Sequence, residues 1–224
     1  MKLGILFSGG KDSYLSMQMA AENHQISCLL TINSLNQDSW MFHTPAIKWT
    51  KLQSESLGIP QIIQKTKGIQ DEELEDLSKL INNAKKKYSI QGIVTGALAS
   101  TYQSTRIQKI CNGLGLWCFN PLWQLSQEKL LKKLQDFQIT SIITGVAAEP
   151  FDESWLGKEL DSSTINELLS YSKKYRINPA GEGGEFESLV INAPMFEKKI
   201  KILSSKILYS NFSGRLEIEE AKLE

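Results

Sequence analysis

Short apolar runs alternate with amphipathic stretches along the first half of the chain. The run at residues 3–7 predicts a buried strand, and residues 13–22 predict the helix that follows it. The clearest helix is predicted at residues 71–88, because apolar side chains recur there every three or four positions. Similar patterns predict further strands at 26–33, 61–66, 92–97 and 116–122, and further helices at 45–58 and 100–114. This alternation predicts a doubly wound α/β fold on a mainly parallel sheet.

The pattern changes beyond about residue 125. Helices are predicted at 126–137 and 164–175, and strands at 142–148, 186–192, 198–210 and 215–220. The run Asn-Phe-Ser-Gly at 211–214 is typical of a hairpin turn between the last two strands. No proline- or serine-rich linker separates the two halves. We therefore expect residues 1–125 to form an α/β domain and residues 126–224 a smaller α+β subdomain packed closely on it.

Composition narrows the class of protein. The 224 residues are 41% hydrophobic and 22% charged, and the formal net charge is +0. A neutral chain has no overall field that would recruit bulk nucleic acid or an anionic membrane. The three cysteines, at 28, 111 and 118, form no C-x-x-C pair, which argues against a disulfide framework and fits a reducing compartment. No apolar run is long enough for a signal sequence or a membrane span, so we expect a cytoplasmic protein.

The candidate chemistry lies in residues 8–13, Ser-Gly-Gly-Lys-Asp-Ser, directly after the first predicted strand. Two glycines let the backbone turn sharply and approach an anion closely. The N-terminus of the next helix directs N–H groups at the same point, where phosphate oxygens bind well. We expect Lys11 to lie on an exposed loop and to add positive charge. The loop predicts a phosphate site, and the alternative is an ordinary strand-to-helix turn capped by Asp12 or Ser13.

The loop fits neither the Walker A pattern nor the G-x-G-x-x-G dinucleotide fingerprint. It resembles the pyrophosphate loop, or PP-loop, of the N-type ATP pyrophosphatases, which include NAD synthetase, GMP synthetase, argininosuccinate synthetase and several transfer-RNA modifying ligases. The resemblance implies an adenine-nucleotide alpha-hydrolase-like fold of the HUP type. It also implies an enzyme that splits ATP between its α- and β-phosphates.

Six further blocks resemble one branch of that superfamily, the diphthine–ammonia ligases in their short archaeal-type form. They are Phe-His-Thr-Pro at 42–45, Gly-Ala-Leu-Ala-Ser at 96–100, Pro-Leu-Trp at 121–123, Gly-Val-Ala-Ala-Glu at 145–149, Asp-Glu-Ser-Trp-Leu-Gly at 152–157 and Ala-Gly-Glu-Gly-Gly-Glu-Phe-Glu at 180–187. The blocks span almost the whole chain in family order, and the two C-terminal blocks are specific to the branch. Two departures are visible: Pro150-Phe151 replaces a small residue and Leu, and Ser188 stands where Thr is more usual.

The resemblance implies a reaction. The family amidates diphthine, a modified histidine of translation elongation factor 2, using ATP and ammonium and releasing AMP and pyrophosphate. It implies ATP and Mg²⁺ as cofactors and elongation factor 2 carrying diphthine as the partner. Since the sequence shows no Cys–His pair of a glutaminase, free ammonium is the expected nitrogen source. The oligomeric state stays open, with a homodimer as one candidate arrangement.

The matching positions give candidate site residues. The residues expected to bind ATP are Ser8, Gly9, Gly10, Lys11, Asp12, Ser13, Asn33, His43, Gly96, Ala97 and Arg106. The residues expected to bind the acceptor are Glu149, Asp152, Glu153, Trp155, Glu182, Glu185 and Glu187. Catalytic roles are expected for Lys11, Asp12 and Glu185, and Asp12 is the candidate Mg²⁺ ligand. Carboxylates suit this acceptor site because ammonium, Mg²⁺ and the quaternary ammonium group of diphthine are all cations.

Several of these residues have simpler interpretations. His43 could serve only to start a helix, and Arg106 could pair with a surface carboxylate. Trp155 could be a packing residue, and the acidic loop could be a solvated turn. Two other functions also remain open: a different PP-loop enzyme, such as a tRNA-modifying ligase, and a non-catalytic sensor that binds an adenine nucleotide. The first usually carries paired cysteines, and the second has no need of the acidic loop.

Overall fold

A five-stranded parallel sheet forms the first half of the molecule. The computed structural model describes residues 1–34 and 46–224. The strands are β1 (Lys2–Leu6), β2 (Gln25–Ser34), β3 (Gln61–Thr66), β4 (Gly92–Val94) and β5 (Trp117–Phe119), in the spatial order β3-β2-β1-β4-β5. All four neighbouring pairs are parallel. The doubly wound α/β fold predicted from the sequence is confirmed.

Six α-helices occur in the described part of the chain. They are α1 (Lys11–Ala21), α2 (Thr50–Leu57), α3 (Gln70–Tyr88), α4 (Thr101–Gly113), α5 (Gln127–Asp136) and α6 (Ser162–Tyr175). The stop predicted after α2 is confirmed, since Gly58 adopts a left-handed φ of 63°. The predicted start of that helix lies outside the described residues. None of the described helices is long and apolar enough to cross a membrane.

The second half carries an antiparallel sheet. Its strands are β6 (Thr140–Ala147), β7 (Phe186–Asn192), β8 (Ile200–Ser210) and β9 (Ser213–Leu223), in the order β7-β6-β9-β8. The hairpin predicted between the last two strands is confirmed. Asn211 and Phe212 form its turn with φ of 49° and 59°. Strand β7 lies at one end of this sheet and packs on the first half of the molecule.

One large hydrophobic cluster joins the two sheets. It contains Leu3 and Leu29 of the first sheet together with Leu189 and Ile218 of the second, all almost fully buried. A smaller cluster covers the other face of the first sheet, beneath α3 and α4. The parallel sheet is therefore buried on both faces, as its continuous apolar strands require.

The sheet order defines where a ligand can bind. β2 and β3 lie on one side of β1, and β4 and β5 lie on the other. The chain therefore reverses its direction of winding between β1 and β4. In open α/β sheets the crevice at this switch point, beyond the carboxyl ends of the strands, is the usual ligand site. Residues 7–10, which connect β1 to α1, lie at this crevice.

Candidate active site

The loop between β1 and α1 has the geometry of an anion site. Gly9 adopts a left-handed φ of 82°, and a Cβ there would collide with Gln53 Oε1. Gly10 precedes α1 in an extended conformation and gives the helix no side-chain cap. The first N–H groups of a helix have no partners within the helix, and they carry its positive dipole end. Gly10 therefore leaves these N–H groups without a cap from its own side chain, and Ser188 of the C-terminal half accepts the N–H of Lys11 at 3.1 Å.

Lys11 and Asp12 are the first two residues of α1. Lys11 Nζ lies 2.8 Å from Asp12 Oδ2 and 5.3 Å from the centre of the Phe186 ring. Lys11 is 3% exposed, so the expectation that it lies on an exposed loop is wrong. The reason is β7, which packs over the loop and contributes Phe186. Asp12 Oδ1 is buried and has no hydrogen-bond partner in the described part of the chain.

The two serines of the loop bond to each other and to the backbone. Ser8 Oγ donates to Ser13 Oγ at 3.2 Å, and Ser13 Oγ donates to the carbonyl of Gly10 at 3.0 Å. The backbone N–H of Gly10 points to Ser8 Oγ at 3.5 Å, a long contact. These bonds hold the turn closed before the helix begins.

The connection from β4 to α4 lies directly on the start of α1. A Cβ on Gly96 would lie 2.9 Å from Ser13 N and 3.0 Å from the carbonyl carbon of Asp12, so only glycine fits there. The following Ala97 is buried, and its N–H donates to Thr95 Oγ1 at 3.2 Å. The structure thus brings Gly96 against residues 12 and 13, at the strand ends where the sequence predicted a meeting.

The other three expected ATP ligands lie on β2, on α4 or outside the described residues. Asn33 is half-buried near the end of β2 and pairs with Lys65 of β3. Arg106 lies on α4 with its guanidinium carbon 3.4 Å from the centre of the Tyr102 ring, and it donates to the Tyr102 carbonyl at 3.3 Å. Arg106 therefore contacts its own helix in this structure. His43 lies outside the described residues.

Strand β7 completes the loop from the C-terminal half. The N–H of Lys11 donates to Ser188 Oγ at 3.1 Å, and the N–H of Val190 donates to the Gly9 carbonyl at 3.0 Å. Gln53 of α2 is fully buried, and its Nε2 donates to the carbonyls of Gly9 at 2.9 Å and Val190 at 2.7 Å. Sequence reasoning missed Gln53 and Val190, because no local motif marks them.

The acidic loop reaches the same crevice through Glu182. Its carboxylate accepts a hydrogen bond from the N–H of Ala99 at 3.1 Å, which ties the loop to the connection after β4. Burial raises the pKa of Glu182, and the negative charge of Asp12 raises it further, against the hydrogen bond from Ala99 and the charge of Lys11. The charge of Asp12 therefore disfavours the ionised form of Glu182.

Glu187 follows Phe186 on β7 and is half-buried. Burial raises the pKa of Glu187 to about 7; the positive charge of Lys11 opposes this shift and the charge of Asp12 adds to it. A carboxyl with this pKa is protonated in about half of the molecules near neutral pH. Perturbed carboxyls of this kind are common at functional sites.

Glu185 has a different environment. Its two carboxylate oxygens accept hydrogen bonds from the N–H groups of Asn178 at 2.9 Å and Gly183 at 2.8 Å. The side chain therefore stabilises the conformation of its own loop. A direct role for Glu185 at the reaction centre stays a prediction, and the geometry assigns it a contact with the loop backbone.

The remaining acceptor candidates lie in the segment after β6. Glu149, Asp152 and Glu153 are exposed, and Asp152 accepts a hydrogen bond from Ser154 N at 2.9 Å. Trp155 is 2% exposed and packs edge-on against Phe151 with ring centres 4.9 Å apart. A lysine, Lys158, places its Nζ 4.3 Å from the centre of the indole ring. Trp155 is therefore a core residue here and presents no free face to a ligand.

The described residues do not form a metal site by themselves. No cluster of three or more His, Cys, Asp or Glu side chains that could hold a metal ion occurs in residues 1–34 and 46–224. Magnesium sites on nucleotide enzymes commonly use one or two carboxylates together with phosphate oxygens. The unpaired Oδ1 of Asp12 fits that kind of site.

Comparison with known proteins bears on the whole chain. A family model described as Diphthamide synthase N-terminal domain matches residues 1–118, and one described as Diphthamide synthase C-terminal domain matches residues 126–223. The Bos taurus protein named diphthine–ammonia ligase is 36% identical over 228 residues, covering 93% of this chain and 85% of that protein. The Homo sapiens protein of the same name is 35% identical over 231 residues, covering 93% and 85%.

Two further matches are more distant or partial. The Schizosaccharomyces pombe diphthine–ammonia ligase is 33% identical over 233 residues, covering 96% of this chain and 38% of that protein. A solved structure described as a predicted subunit of tRNA methyltransferase from Methanocaldococcus jannaschii gives a TM-score of 0.43 at 16% identity, over 87% of this chain and 98% of that one. This second likeness is too weak to bear on fold or function. The family models and the curated relatives confirm the resemblance carried by the motifs, and the chain belongs to the diphthamide synthase family of diphthine–ammonia ligases.

Proposed function

We propose that this protein is an ATP-dependent ligase that amidates diphthine on translation elongation factor 2, releasing AMP and pyrophosphate. The observation that carries the proposal is the meeting of two elements at one crevice. Residues 8–13, termed here the phosphate loop, bring Lys11 and the first N–H groups of α1. The C-terminal half brings Glu182 and Glu187, whose ionisation is influenced by the charges of Lys11 and Asp12. An anionic nucleotide and a cationic acceptor can therefore bind side by side. The relatives named diphthine–ammonia ligase support the same reaction.

The groups that line the crevice suit the phosphates of ATP. The β- and γ-phosphates bind the N–H groups at the start of α1 and the hydroxyls of Ser8 and Ser13. Gly9 and Gly96 keep the backbone free of side chains where the phosphates approach. Lys11, now paired with Asp12, exchanges that partner for a phosphate oxygen. Asn33, His43, Ala97 and Arg106 stay proposed contacts of the nucleotide.

Mg²⁺ accompanies ATP in this proposal, and Asp12 is its protein ligand. The free Oδ1 of Asp12 is the oxygen that would hold it. When bound, the ion supplies positive charge to the phosphate oxygens.

The reaction has two steps. The carboxylate of diphthine attacks the α-phosphorus of ATP, which forms an acyl-adenylate and breaks the bond to pyrophosphate. Ammonium loses a proton to give ammonia, which attacks the acyl carbon. AMP leaves with the electron pair of the broken bond, and the nitrogen releases a further proton as the amide forms. A free carboxylate has no usable leaving group, so adenylation makes the amide bond accessible. The protein contributes mainly positioning and charge stabilisation, with Lys11 neutralising the departing pyrophosphate.

The acceptor side is formed by the acidic residues of the C-terminal half. Glu182 and Glu187 face positive charge from ammonium and from the trimethylammonio group of diphthine. Glu185 holds the loop that carries Glu182. The exposed residues Glu149, Asp152 and Glu153 contact the elongation factor at the rim, and Trp155 supports that segment from the core.

The two halves of the molecule have separate roles in this proposal. Residues 1–125 form the nucleotide-binding domain, and residues 126–224 form the acceptor subdomain. The protein acts in the cytoplasm, where elongation factor 2 is found, and the homodimer stays a candidate arrangement.

A single assay tests the function. The protein is incubated with ATP, ammonium and elongation factor 2 carrying diphthine, and nucleotides are separated while the modified peptide is weighed by mass spectrometry. AMP and the amide should appear in equal amounts, and omission of any component should stop both. ADP as the nucleotide product would contradict the proposal, as would AMP formation driven by transfer RNA. A nucleotide sensor would retain ATP unchanged.

Lys11→Ala should reduce AMP formation by about 100-fold or more, because removal of a charge that stabilises a transition state has effects of this size. Since Lys11 is buried, thermal unfolding must be measured on the same sample. The matched control is Lys86→Ala, which changes an exposed lysine at the end of α3. A folded Lys11→Ala variant with near wild-type turnover would remove the phosphate loop from the mechanism.

A further inference from the structure

Ser188 belongs to the C-terminal half, yet its hydroxyl lies in the phosphate loop. The residue is 5% exposed, and its Oγ accepts the N–H of Lys11 at 3.1 Å. A Cβ placed on Gly10 would lie 3.2 Å from the Ser188 carbonyl oxygen and 3.6 Å from its Oγ. Because Gly10 has no side chain, the hydroxyl faces the point where the loop turns into α1.

The hydroxyl has an unused donor. A serine hydroxyl offers one O–H donor and two acceptor positions, and Lys11 N occupies one acceptor position. In residues 1–34 and 46–224, the bond from Lys11 is the one hydrogen bond that the Ser188 side chain forms. A buried O–H without an acceptor is unfavourable. A ligand atom that accepts a hydrogen bond from the Ser188 hydroxyl would therefore be stabilised here. Phosphate oxygens are strong acceptors.

We propose that Ser188 donates its hydroxyl proton to the pyrophosphate part of ATP, so that the C-terminal half supplies a phosphate-binding residue. The inference rests on the proposed function only in taking residues 8–13 as the phosphate site. Ser188 would then bridge the first helical N–H of α1 and a phosphate oxygen. The phosphate site is complete only when β7 lies against the loop.

The same strand connects the two substrates. Glu187 directly precedes Ser188, and Phe186 lies under the ammonium group of Lys11. Departure of pyrophosphate therefore removes a contact of β7 one residue away from an acceptor-side carboxylate. Ser188, the proposed pyrophosphate ligand, and Glu187, the proposed acceptor-side residue, are neighbours in sequence, with side chains on opposite faces of the strand.

Binding of two probes tests the proposal. Inorganic pyrophosphate with Mg²⁺, and AMP, are titrated separately by calorimetry into the wild-type protein and the Ser188→Ala variant. Loss of one hydrogen bond to a charged group should weaken pyrophosphate binding by about 10- to 100-fold. AMP lacks the β- and γ-phosphates, so its affinity should change less than about threefold. Ser188→Thr keeps the hydroxyl and should restore pyrophosphate binding.

The matched control is Ser141→Ala on the neighbouring strand β6. Ser141 is fully buried, and its Oγ has no hydrogen-bond partner in the described part of the chain. This variant should bind both probes as the wild type does. Equal loss of AMP and pyrophosphate binding in Ser188→Ala would assign Ser188 a purely structural role and overturn the proposal, as would unchanged pyrophosphate binding. If Ser188→Ala fails to fold, Ser188→Cys, with a weaker donor of similar size, gives the same comparison.

The pyrophosphate-binding test does not depend on which acceptor the enzyme modifies. A wild-type protein that binds pyrophosphate but forms no amide on elongation factor 2 would contradict the proposed acceptor and leave Ser188 in place. A protein that forms the amide while Ser188→Ala binds pyrophosphate normally would do the reverse.

Discussion

Single residues around the crevice are held in charge states that water would not favour. Glu187 is the clearest case, since burial raises its pKa to about 7 from an ordinary value of 4.5. Between these two values the folded protein keeps a proton that the unfolded chain has released. The free energy of unfolding therefore falls as pH rises from about 4.5 to about 7 and is constant in this respect above that window. Burial of this carboxyl therefore lowers the stability of the folded protein at and above neutral pH, a trade-off that is common at functional sites.

Glu187→Gln should abolish this cost. Measured by urea denaturation without metal or nucleotide, the variant should be more stable than the wild type by about 1–2 kcal/mol at pH 8, after allowance for partial solvation. At pH 4.5 the difference should vanish, because the wild-type carboxyl is then protonated. Glu185→Gln is the contrast, since its carboxylate accepts two backbone N–H groups and its loss should destabilise. A gain that does not depend on pH would rule out ionisation as the cause.

At the scale of elements, a glycine lets the connection after β4 approach the start of α1 closely. The connection after β4 touches the backbone of α1 at Gly96, so the position of one element sets that of the other. Gly96→Ala should displace the start of α1 and weaken ATP binding by about 10-fold or more, since the added Cβ meets backbone atoms that cannot rotate away. Gly113→Ala, at the end of α4, is the control, because a Cβ there meets nothing within 4 Å. Nucleotide titration of both variants checks this, and equal affinities would contradict it.

Local patterns predicted the elements well and the contacts between them poorly. β3 and β7 match the predicted ranges 61–66 and 186–192, because alternation and strand length are local properties. β4 and β5 are shorter than predicted, since the chain turns away at Thr95 and Asn120, which bond to each other at 2.5 Å. The strand-end argument predicted that the segment at 96–97 would lie near residues 8–13, and Gly96 does contact residues 12 and 13. Burial of Lys11 could not be predicted, because it depends on a strand 177 residues further along the chain.

The whole molecule shares one core across its two sheets. The large cluster includes side chains of β1 and β2 as well as β7 and β9, so neither half can bury its apolar surface alone. We expect one cooperative unfolding transition, with tryptophan fluorescence and far-ultraviolet circular dichroism giving coincident midpoints. A fragment of residues 1–125 should show no cooperative transition and no measurable ATP binding. Two separate transitions in the full chain, or a stably folded fragment, would show that the two halves are independent.

The position of β7 at the end of its sheet has a consequence for solubility. An uncovered outer strand invites pairing with another chain and hence aggregation. Here the N–H and C=O of Val190 are both occupied, by Gly9 and Gln53, so the phosphate loop also shields that border. Loosening of the loop would therefore release a strand able to recruit foreign chains. Variants that loosen residues 8–13 should therefore be recovered mainly as insoluble protein. Adding nucleotide to the refolding buffer should increase the soluble yield.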